Sequence, residues 1–352
     1  MKVAIFTLNA ESLEVAEKIA NCSRYRSKIF QGKEGYGSLG ELVASVYEDY
    51  DGLVFIMATG IVVRIIAPLL KNKALDPAIL VIDPRGTFVI SLLAGHLGGA
   101  NRLTKEIAKI LKAQPVITTA TDVLGKKSLE DWAQYHGLGI KNIQGLVKIN
   151  GALVKDENIT IYSELNPQYF ADYPLGEKER IQFLPLKELE KGKNKNRPQT
   201  CVGISRAGGL EDKVDLELII RNLVVGIGCR RDTPQEKLQE FLEEVFLEAG
   251  LSLANIKKFV SIDIKKEEKG LIGLVRSLRL PIEFFTPKQL ASVFLEHPDL
   301  NYSKFVQKTI GVGGVCEPAA LLGSKQGTLI VKKKAREGMT IAIAEEKLPL
   351  WG

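Results

Sequence analysis

Short apolar runs alternate with helical patterns along residues 1–121, and this alternation restricts the fold more than any other feature of the chain. Lys2 to Leu8, Leu53 to Met57, Ala78 to Asp83 and Thr87 to Leu93 are nearly unbroken apolar runs of strand length. A strand exposed on one face alternates with polar residues, whereas an unbroken run is buried on both faces, as in a parallel sheet covered by helices. Between the runs, Ser12 to Ala20, Leu39 to Tyr50, Ile61 to Leu70 and Leu103 to Leu111 set apolar side chains at helical spacing. Asn9 or Ser12 caps the first of these, and Pro68 kinks or ends the third. Ile29-Phe30 and Val116 to Thr119 supply further short strands. Together these predict a doubly wound α/β domain over residues 1–121.

Ligands of such folds lie beyond the carboxyl ends of the strands, and two glycine turns are expected there. Thr59-Gly60 follows Leu53 to Met57, with Arg64 one helical turn on. Gly95, Gly98 and Gly99 follow Thr87 to Leu93, read as a buried strand of the parallel sheet, and lead through Asn101 into the next helix. The succession of strand, glycine turn and helix lets backbone approach a ligand and leaves N–H groups at the helix start for an anion. His96 is the only side chain of that turn that titrates near neutrality, which makes it the candidate catalytic base.

Residues 122–221 have a different texture and predict a smaller middle α+β domain. Leu129 to Tyr135 reads as a helix, and Leu146 to Ile149, Ile159 to Tyr162, Ile181 to Leu184 and Thr200 to Ile204 as short strands. Lys187 to Arg197 reads as a solvated basic loop. A second α/β domain is predicted over residues 222–352. It opens with the strand Leu223 to Gly228 and the helix whose stripe is Leu238, Phe241, Leu242, Val245 and Phe246. The class is therefore α/β: two α/β domains with largely parallel sheets flanking a smaller α+β domain.

The second half carries two glycine turns of its own. Gly226-Ile-Gly228-Cys-Arg230-Arg231 and Gly311-Val-Gly313-Gly314-Val-Cys316 both begin like a dinucleotide fingerprint, and both lack its last glycine. No GxxxxGK[ST] loop is present, so NAD and ATP are weakly supported. Arg230 and Arg231 suit bidentate contacts to carboxylates, with exposed ion pairing as the plainer reading. Glu317, before Pro318 at a helix start, is a candidate acid or base, with capping the plainer role. Cys229 and Cys316 read as small buried hydrophobes.

Composition excludes several classes. With 352 residues the chain exceeds one typical domain, and 45 % hydrophobic and 26 % charged residues are ordinary for a globular protein. A net charge of +6 suits an acidic ligand but not nucleic acid, for which a dense basic stripe is expected. No apolar run reaches the roughly 18 residues that cross a bilayer, so no membrane association is expected. Four cysteines without CxxC spacing fit reduced thiols and a cytoplasmic location. A homodimer is left open.

Four blocks carry a family resemblance: Met57-Ala-Thr-Gly-Ile-Val-Val-Arg64, Ile90-Ser-Leu-Leu-Ala-Gly-His-Leu-Gly-Gly-Ala-Asn101, Gly226-Ile-Gly-Cys-Arg-Arg231 and Gly311-Val-Gly-Gly-Val-Cys-Glu-Pro-Ala-Ala-Leu-Leu322. In this order they resemble the cobalt-precorrin-5A hydrolase (CbiG) family of anaerobic cobalamin biosynthesis. Asp232 departs from the pattern, which has glycine after the paired arginines. The resemblance implies hydrolysis of the δ-lactone of cobalt-precorrin-5A, with release of acetaldehyde, to give cobalt-precorrin-5B. It implies no cofactor and no protein-bound metal, because the corrinoid substrate carries its own cobalt.

Residue roles come from chemistry rather than from the resemblance. Lactone opening needs an activated water, an oxyanion site and proton transfer. His96 is expected as base, with Glu317 the other catalytic candidate. Backbone N–H groups of Gly98 and Gly99, or Gly313 and Gly314, are expected at the oxyanion. Thr59, Gly60, Arg64, Gly95, Asn101, Gly228, Arg230 and Arg231 are the expected substrate contacts, in a cleft between the two α/β domains. Two rivals stand beside this reading: a non-catalytic tetrapyrrole carrier or pathway-interaction protein, and a nucleotide-dependent enzyme.

Overall fold

The computed structural model describes residues 1–22, 24–72, 75–191, 198–325 and 327–351. Among the described residues the strands form three sheets, and the chain divides into two compact units. The first unit comprises Met1–Trp132, Leu146–Glu157 and Leu175–Arg180. Its elements are β1 (Lys2–Thr7), α1 (Ala10–Ala20), β2 (Arg26–Gln31), α2 (Leu39–Val46), β3 (Gly52–Ile56), α3 (Thr59–Ile66), β4 (Ala78–Ile82), β5 (Phe88–Leu93), α4 (Ala100–Leu111), β6 (Gln114–Val116), α5 (Ala120–Val123), the start of α6 (Leu129–Tyr135) and nearly all of α7 (Gly145–Val154).

The six-stranded sheet has the order β2-β1-β3-β4-β5-β6. Alternate residues of its central strands feed two separate cores, which is why the runs are apolar throughout. Val3, Ile5, Val54, Ile56, Leu80 and Ile82 pack with Val15 and Ile19 of α1 and with Leu103 and Ile107 of α4. Their neighbours Ala4, Phe6, Leu53, Phe55, Ile79 and Val81 pack on the other face with Leu42 and Val43 of α2 and Val62 and Ile66 of α3. Each such Val, Leu, Ile or Phe side chain stabilises the fold by about 1.5–3 kcal/mol on burial. Asn9 caps α1 through a reciprocal pair with Ser12, and α3 stops at Ile66, two residues before Pro68.

Strands β1 to β4 run parallel, but β5 reverses: Ile79 pairs with Leu93 and Ile82 with Val89. This corrects the reading of Thr87 to Leu93 as a buried parallel strand, and β5 is only half-buried over most of its length. The cause is the connection. Only residues 83–87 separate β4 from β5, and a parallel crossover needs about a dozen or more. Asp83 tightens the turn, its carboxylate accepting the N–H groups of Arg85 (3.2 Å) and Phe88 (2.6 Å) while Gly86 takes φ +70°. Strand β6 is parallel to β5, as the α4 crossover requires.

The second unit comprises Ala133–Gly145, Asn158–Pro174 and Ile181–Gly352. Its first sheet, of order β7-β11-β10-β8-β9, is built from β7 (Leu138–Ile140), β8 (Ile159–Ser163), β9 (Ile181–Pro185), β10 (Cys201–Ser205) and β11 (Leu216–Ile220). Only the β7 edge is antiparallel. Leu186–Lys191 forms α8, and residues 192–197 of the predicted basic loop lie outside the described residues.

Its second sheet has the order β14-β13-β12-β16-β15. The elements are β12 (Leu223–Gly228), α9 (Gln235–Glu248), β13 (Ile256–Ile262), α10 (Lys269–Ser277), β14 (Ile282–Phe285), α11 (Pro287–Glu296), α12 (Lys304–Ile310), α13 (Cys316–Gly323), β15 (Thr328–Arg336) and β16 (Met339–Glu345). Strands β12, β13 and β14 are parallel, β16 is antiparallel to β12, and β15 pairs antiparallel with β16 in a hairpin, so it runs with β12. The mixed α/β architecture with mostly parallel sheets is the one expected.

Two segments differ in type: residues 187–191, expected as part of a loop, lie in α8, and the other is earlier in the chain. Leu146 to Ile149, expected as a strand, lies in α7, and its buried residues Leu146, Ile149, Ala152 and Leu153 follow helical spacing. A four-residue apolar run cannot distinguish the two periods; the residues beyond it decide.

Candidate active site

The reversal of β5 decides which residues share an edge of the first sheet. Leu93 lies beside Ile79 near the start of β4, whereas Ile56 at the end of β3 lies beside Ile82. Thr59, Gly60 and Arg64 therefore stand at one edge and the Gly95–Gly99 turn at the opposite one. They do not form the single constellation expected of them. Arg64 is exposed and turns back on its own helix, Nη1 donating to Gly60 O at 3.2 Å.

The turn is packed by its glycines. Ala94 holds a left-handed φ of +56°, a conformation L-residues adopt at a cost, and Gly99 follows suit at +82°. A Cβ on Gly95 would stand 2.8 Å from Asn101 Oδ1, and one on Gly98 would stand 2.5 Å from the Ala94 Cβ. What these glycines admit is close approach of the turn to itself. The helix start is not open to an anion either. Ala100 N–H donates to Ala94 O (3.1 Å), Asn101 N–H to Gly95 O (2.9 Å) and Gly99 N–H to His96 O (3.0 Å). That occupies one of the two expected oxyanion donors, Gly99.

The turn aims His96 at residues brought by the next connection. Because β6 is parallel to β5, the segment after β6 returns to the same edge and delivers Thr121 and Asp122 on α5, then Asp131 on α6. His96 Nδ1 lies 2.9 Å from Asp131 Oδ2, and Nε2 lies 3.1 Å from Thr121 Oγ1 and 3.7 Å from Asp122 Oδ2. A carboxylate only accepts, so Nδ1 carries the proton toward Asp131, and in the neutral ring Nε2 accepts from the Thr121 hydroxyl. Asp131 is held in turn by Ser128, whose hydroxyl accepts the Asp131 N–H at 3.1 Å.

Asn101 organises the second layer. Its amide donates to Asp122 Oδ2 (2.8 Å) and Thr119 Oγ1 (3.1 Å) and accepts from Ser91 (2.6 Å), while Lys105 Nζ pairs with Asp122 Oδ1 at 2.8 Å. At 5 % exposure Asn101 is a scaffold for the site rather than a surface contact. Burial opposes protonation of His96, but the hydrogen bond to Asp131 and the charges of Asp131, Glu130 and Asp122 outweigh it. The imidazole pKa is raised above its ordinary 6.5. Burial pushes Asp131 up, and its bond to the charged imidazole, helped by Ser128 and Lys105, overcomes that and holds it below 3.8.

A cavity of about 500 Å³ opens on this group. Ala94, Gly95, His96, Leu97 and Thr119 to Thr121 line one side; Glu130 and the α7 residues Val147, Asn150, Gly151 and Val154 line the other. Glu130 and Asn150 are joined across the lining at 2.6 Å. Thr121, Asp122, Asp131 and α7 were not singled out from sequence. The available signal, Ser128-x-x-Asp131, spells a helix cap, and Ser128 does cap, leaving the carboxylate for His96.

In the second unit the two glycine turns meet. A Cβ on Gly226 would fall 1.9 Å from Cys316 O, so α13 rests directly on β12, and a Cβ on Gly228 would stand 4.0 Å from the Val315 Cβ. Arg230 and Arg231 are exposed. Asp232 takes φ +59°, the conformation for which glycine is favoured, and is fixed there by its N–H donating to Glu268 at 2.7 Å. Gly313 makes room for Tyr302, whose ring would lie 2.3 Å from a Cβ there, and Gly314 sits beside Phe294. Glu317 is 3 % exposed, and its carboxylate accepts the Lys333 N–H of β15 at 2.9 Å, an anchoring contact. Burial pushes the Cys316 thiol up to about 11 and raises Cys229 as well. All four cysteines are free thiols. No described helix is long and apolar enough to cross a membrane.

Two family models match the chain, described as cobalamin synthesis G N-terminal over residues 41–122 and cobalamin synthesis G C-terminus over residues 223–344. The first takes in β5, the His96 turn and Thr121. A cobalt-precorrin-5A hydrolase of Salmonella typhimurium is 34 % identical, covering 97 % of each chain. One of Priestia megaterium is 31 % identical over 97 % of this chain and 94 % of its own. Among solved structures, a cobalamin biosynthesis protein G homolog from Sulfolobus solfataricus is 24 % identical over 98 % of this chain and 97 % of its own, with a TM-score of 0.40. With its N- and C-terminal models in order and full-length relatives above 30 % identity, the chain belongs to the cobalt-precorrin-5A hydrolase (CbiG) family.

Proposed function

We infer that the chain opens the δ-lactone of cobalt-precorrin-5A and releases acetaldehyde, giving cobalt-precorrin-5B. The observation that carries this reading is His96. Its Nδ1 is tied to Asp131 and its Nε2 turned to a hydroxyl on the wall of a cavity, and both His96 and Thr121 fall in the segment matched by the N-terminal family model. Ester opening needs a base poised near neutrality with its tautomer fixed, and general acid–base catalysis of this kind contributes about 10²–10⁴ in rate. His96 takes the proton of the attacking group and returns it to the ring oxygen that leaves. The freed hydroxyl then loses its proton as the two-carbon fragment departs as aldehyde, and the electron pair of the broken C–C bond passes into the conjugated macrocycle.

The cavity, at about 500 Å³, suits the lactone-bearing edge of a macrocycle. On the second unit, exposed Arg230 and Arg231 are charge-assisted donors of the kind that acidic substituents bind. The reaction as written draws its cobalt from the substrate and asks for no resident cofactor. Free thiols and no membrane-crossing helix among the described residues support a cytoplasmic setting. The test is incubation of the purified chain with cobalt-precorrin-5A, reading acetaldehyde and corrinoid mass together. Stoichiometric acetaldehyde, lost in folded His96→Ala, is expected. A bound but unchanged corrinoid would make the protein a carrier.

A further inference from the structure

The nitrogen of His96 that faces away from Asp131 is not left for solvent. Its partner is Thr121 Oγ1, 3.1 Å away. Thr121 is the second residue of α5, whose N-cap is Thr119, so no carbonyl of a preceding helical turn stands ready for its hydroxyl. Among the described residues the Thr121 hydroxyl has no hydrogen-bond partner except this ring nitrogen. Thr121 is 4 % exposed, so its rotamer is set by packing, and it lines the same cavity as His96. Carboxylate, imidazole and hydroxyl thus stand in the order orienter, base, nucleophile, at 2.9 Å and 3.1 Å.

We propose that Thr121 is the nucleophile of the lactone opening, forming a transient acyl-enzyme with His96 as base and Asp131 as the carboxylate that orients it. The proposal rests on the hydrolase reading above and deepens it. Thr121 Oγ1 bonds to the lactone carbonyl carbon as Nε2 takes its proton. The bond from that carbon to the ring oxygen breaks, the electron pair stays on the ring oxygen, and His96 protonates it. The product is an ester of Thr121 and a free hydroxyl on the two-carbon fragment. A water then attacks the ester carbon and gives its proton to Nε2, the Thr121 ester bond breaks, and the proton returns to Oγ1. One water is consumed, a carboxylic acid is released, and nothing is oxidised or reduced. Water thus enters at the second step, where the sequence placed it at the first.

Two readouts on the full-length protein test this. In rapid acid quench with cobalt-precorrin-5A, the peptide containing Thr121 is expected to carry the corrinoid mass. Thr121→Ala is expected to lose the adduct and at least about 10³-fold of turnover, and Thr121→Ser to keep both within about tenfold. Independently of any corrinoid, a β-lactone acylating probe is expected to label wild type and Thr121→Ser but neither Thr121→Ala nor His96→Ala, in each case folded by circular dichroism. Acetaldehyde release with no adduct, no labelling and a Thr121→Ala variant within about threefold of wild type would overturn the nucleophile and leave the hydrolase reading standing. Labelling of Thr121 without turnover would overturn the hydrolase reading, and with it the lactone step, and leave Thr121 as a nucleophile activated for a different acyl substrate. No labelling and no turnover would remove both.

Discussion

His96 Nδ1 and Asp131 Oδ2 stand 2.9 Å apart, joining a turn after β5 to a helix that begins 33 residues later. The pair fixes the tautomer of the imidazole and raises its pKa, and most of what can be tested about this site follows from that bond.

Asp131→Asn removes the negative charge beside the ring and lets an amide face Nδ1. The base works deprotonated, so kcat/KM rises with pH through the His96 pKa, which lies above 6.5 in the native protein. Without Asp131 that limb moves to lower pH, and the rate on its plateau falls by about 10²-fold or more because the tautomer is no longer imposed. A pH profile of acetaldehyde release separates the two effects. A limb left unmoved would mean that Asp131 does not act through His96.

The same bond makes stability depend on pH. A histidine whose folded pKa is raised contributes stability in full below its unfolded value, near 6.5, and loses it as pH rises through the folded pKa. Asp131, held below 3.8, contributes above that value and loses it as pH falls through its lower folded pKa. The wild-type advantage in Tm over His96→Ala is therefore expected to be greatest between these two titrations and to shrink from about pH 6.5 upward. Thermal melts of both proteins across pH 5–9 check this.

Gly151 offers a way to close the cavity without disturbing the fold. It lies in α7, lines the cavity, and a Cβ added there meets nothing within 4 Å. Gly151→Ala is expected to stabilise by about 0.5–1 kcal/mol, since glycine is a poor helix residue. Gly151→Phe is expected to keep the native Tm and abolish substrate binding, measured by corrinoid absorbance titration.

Glu317→Ala distinguishes anchor from catalyst. It leaves the Lys333 N–H without its acceptor, which costs about 1–3 kcal/mol. Urea unfolding should show that loss while the folded fraction retains full turnover. Glu317→Gln keeps an acceptor oxygen and should recover most of the stability.

Arg230→Ala combined with Arg231→Ala tests the exposed cationic pair. KM is expected to rise by up to about tenfold per arginine with kcat unchanged, and the salt dependence of kcat/KM to flatten. Both parameters unchanged would leave these residues as ordinary surface charge.

Much of the framework was legible in the residues. Unbroken apolar runs required strands covered on both faces, and the two cores fed by alternate residues of β1, β3 and β4 are that requirement met. His96 stood out because glycines surround it and nothing nearby titrates in its range. Its partners were not legible. Asp131 sits in a cap-like Ser-x-x-Asp signature, Thr121 in a four-residue helix, and α7 in a run too short to show its period. The reversal of β5 was within reach, since the five residues 83–87 are too few for a parallel crossover. Read as parallel, β5 put the Gly95–Gly99 turn at the edge of Thr59 and Arg64, and its reversal sets the turn at the opposite one.

Sequence by itself determined the local elements, the alternation that selects an α/β fold, and the identity of the one titratable side chain in the glycine turn, because periodicity and backbone preference act over a few residues. Only tertiary structure decided which carboxylate orients His96, which hydroxyl it faces and which helix walls the cavity. Those residues lie 25 to 58 positions beyond His96, and strand direction, a property of the whole sheet, brings them to one edge.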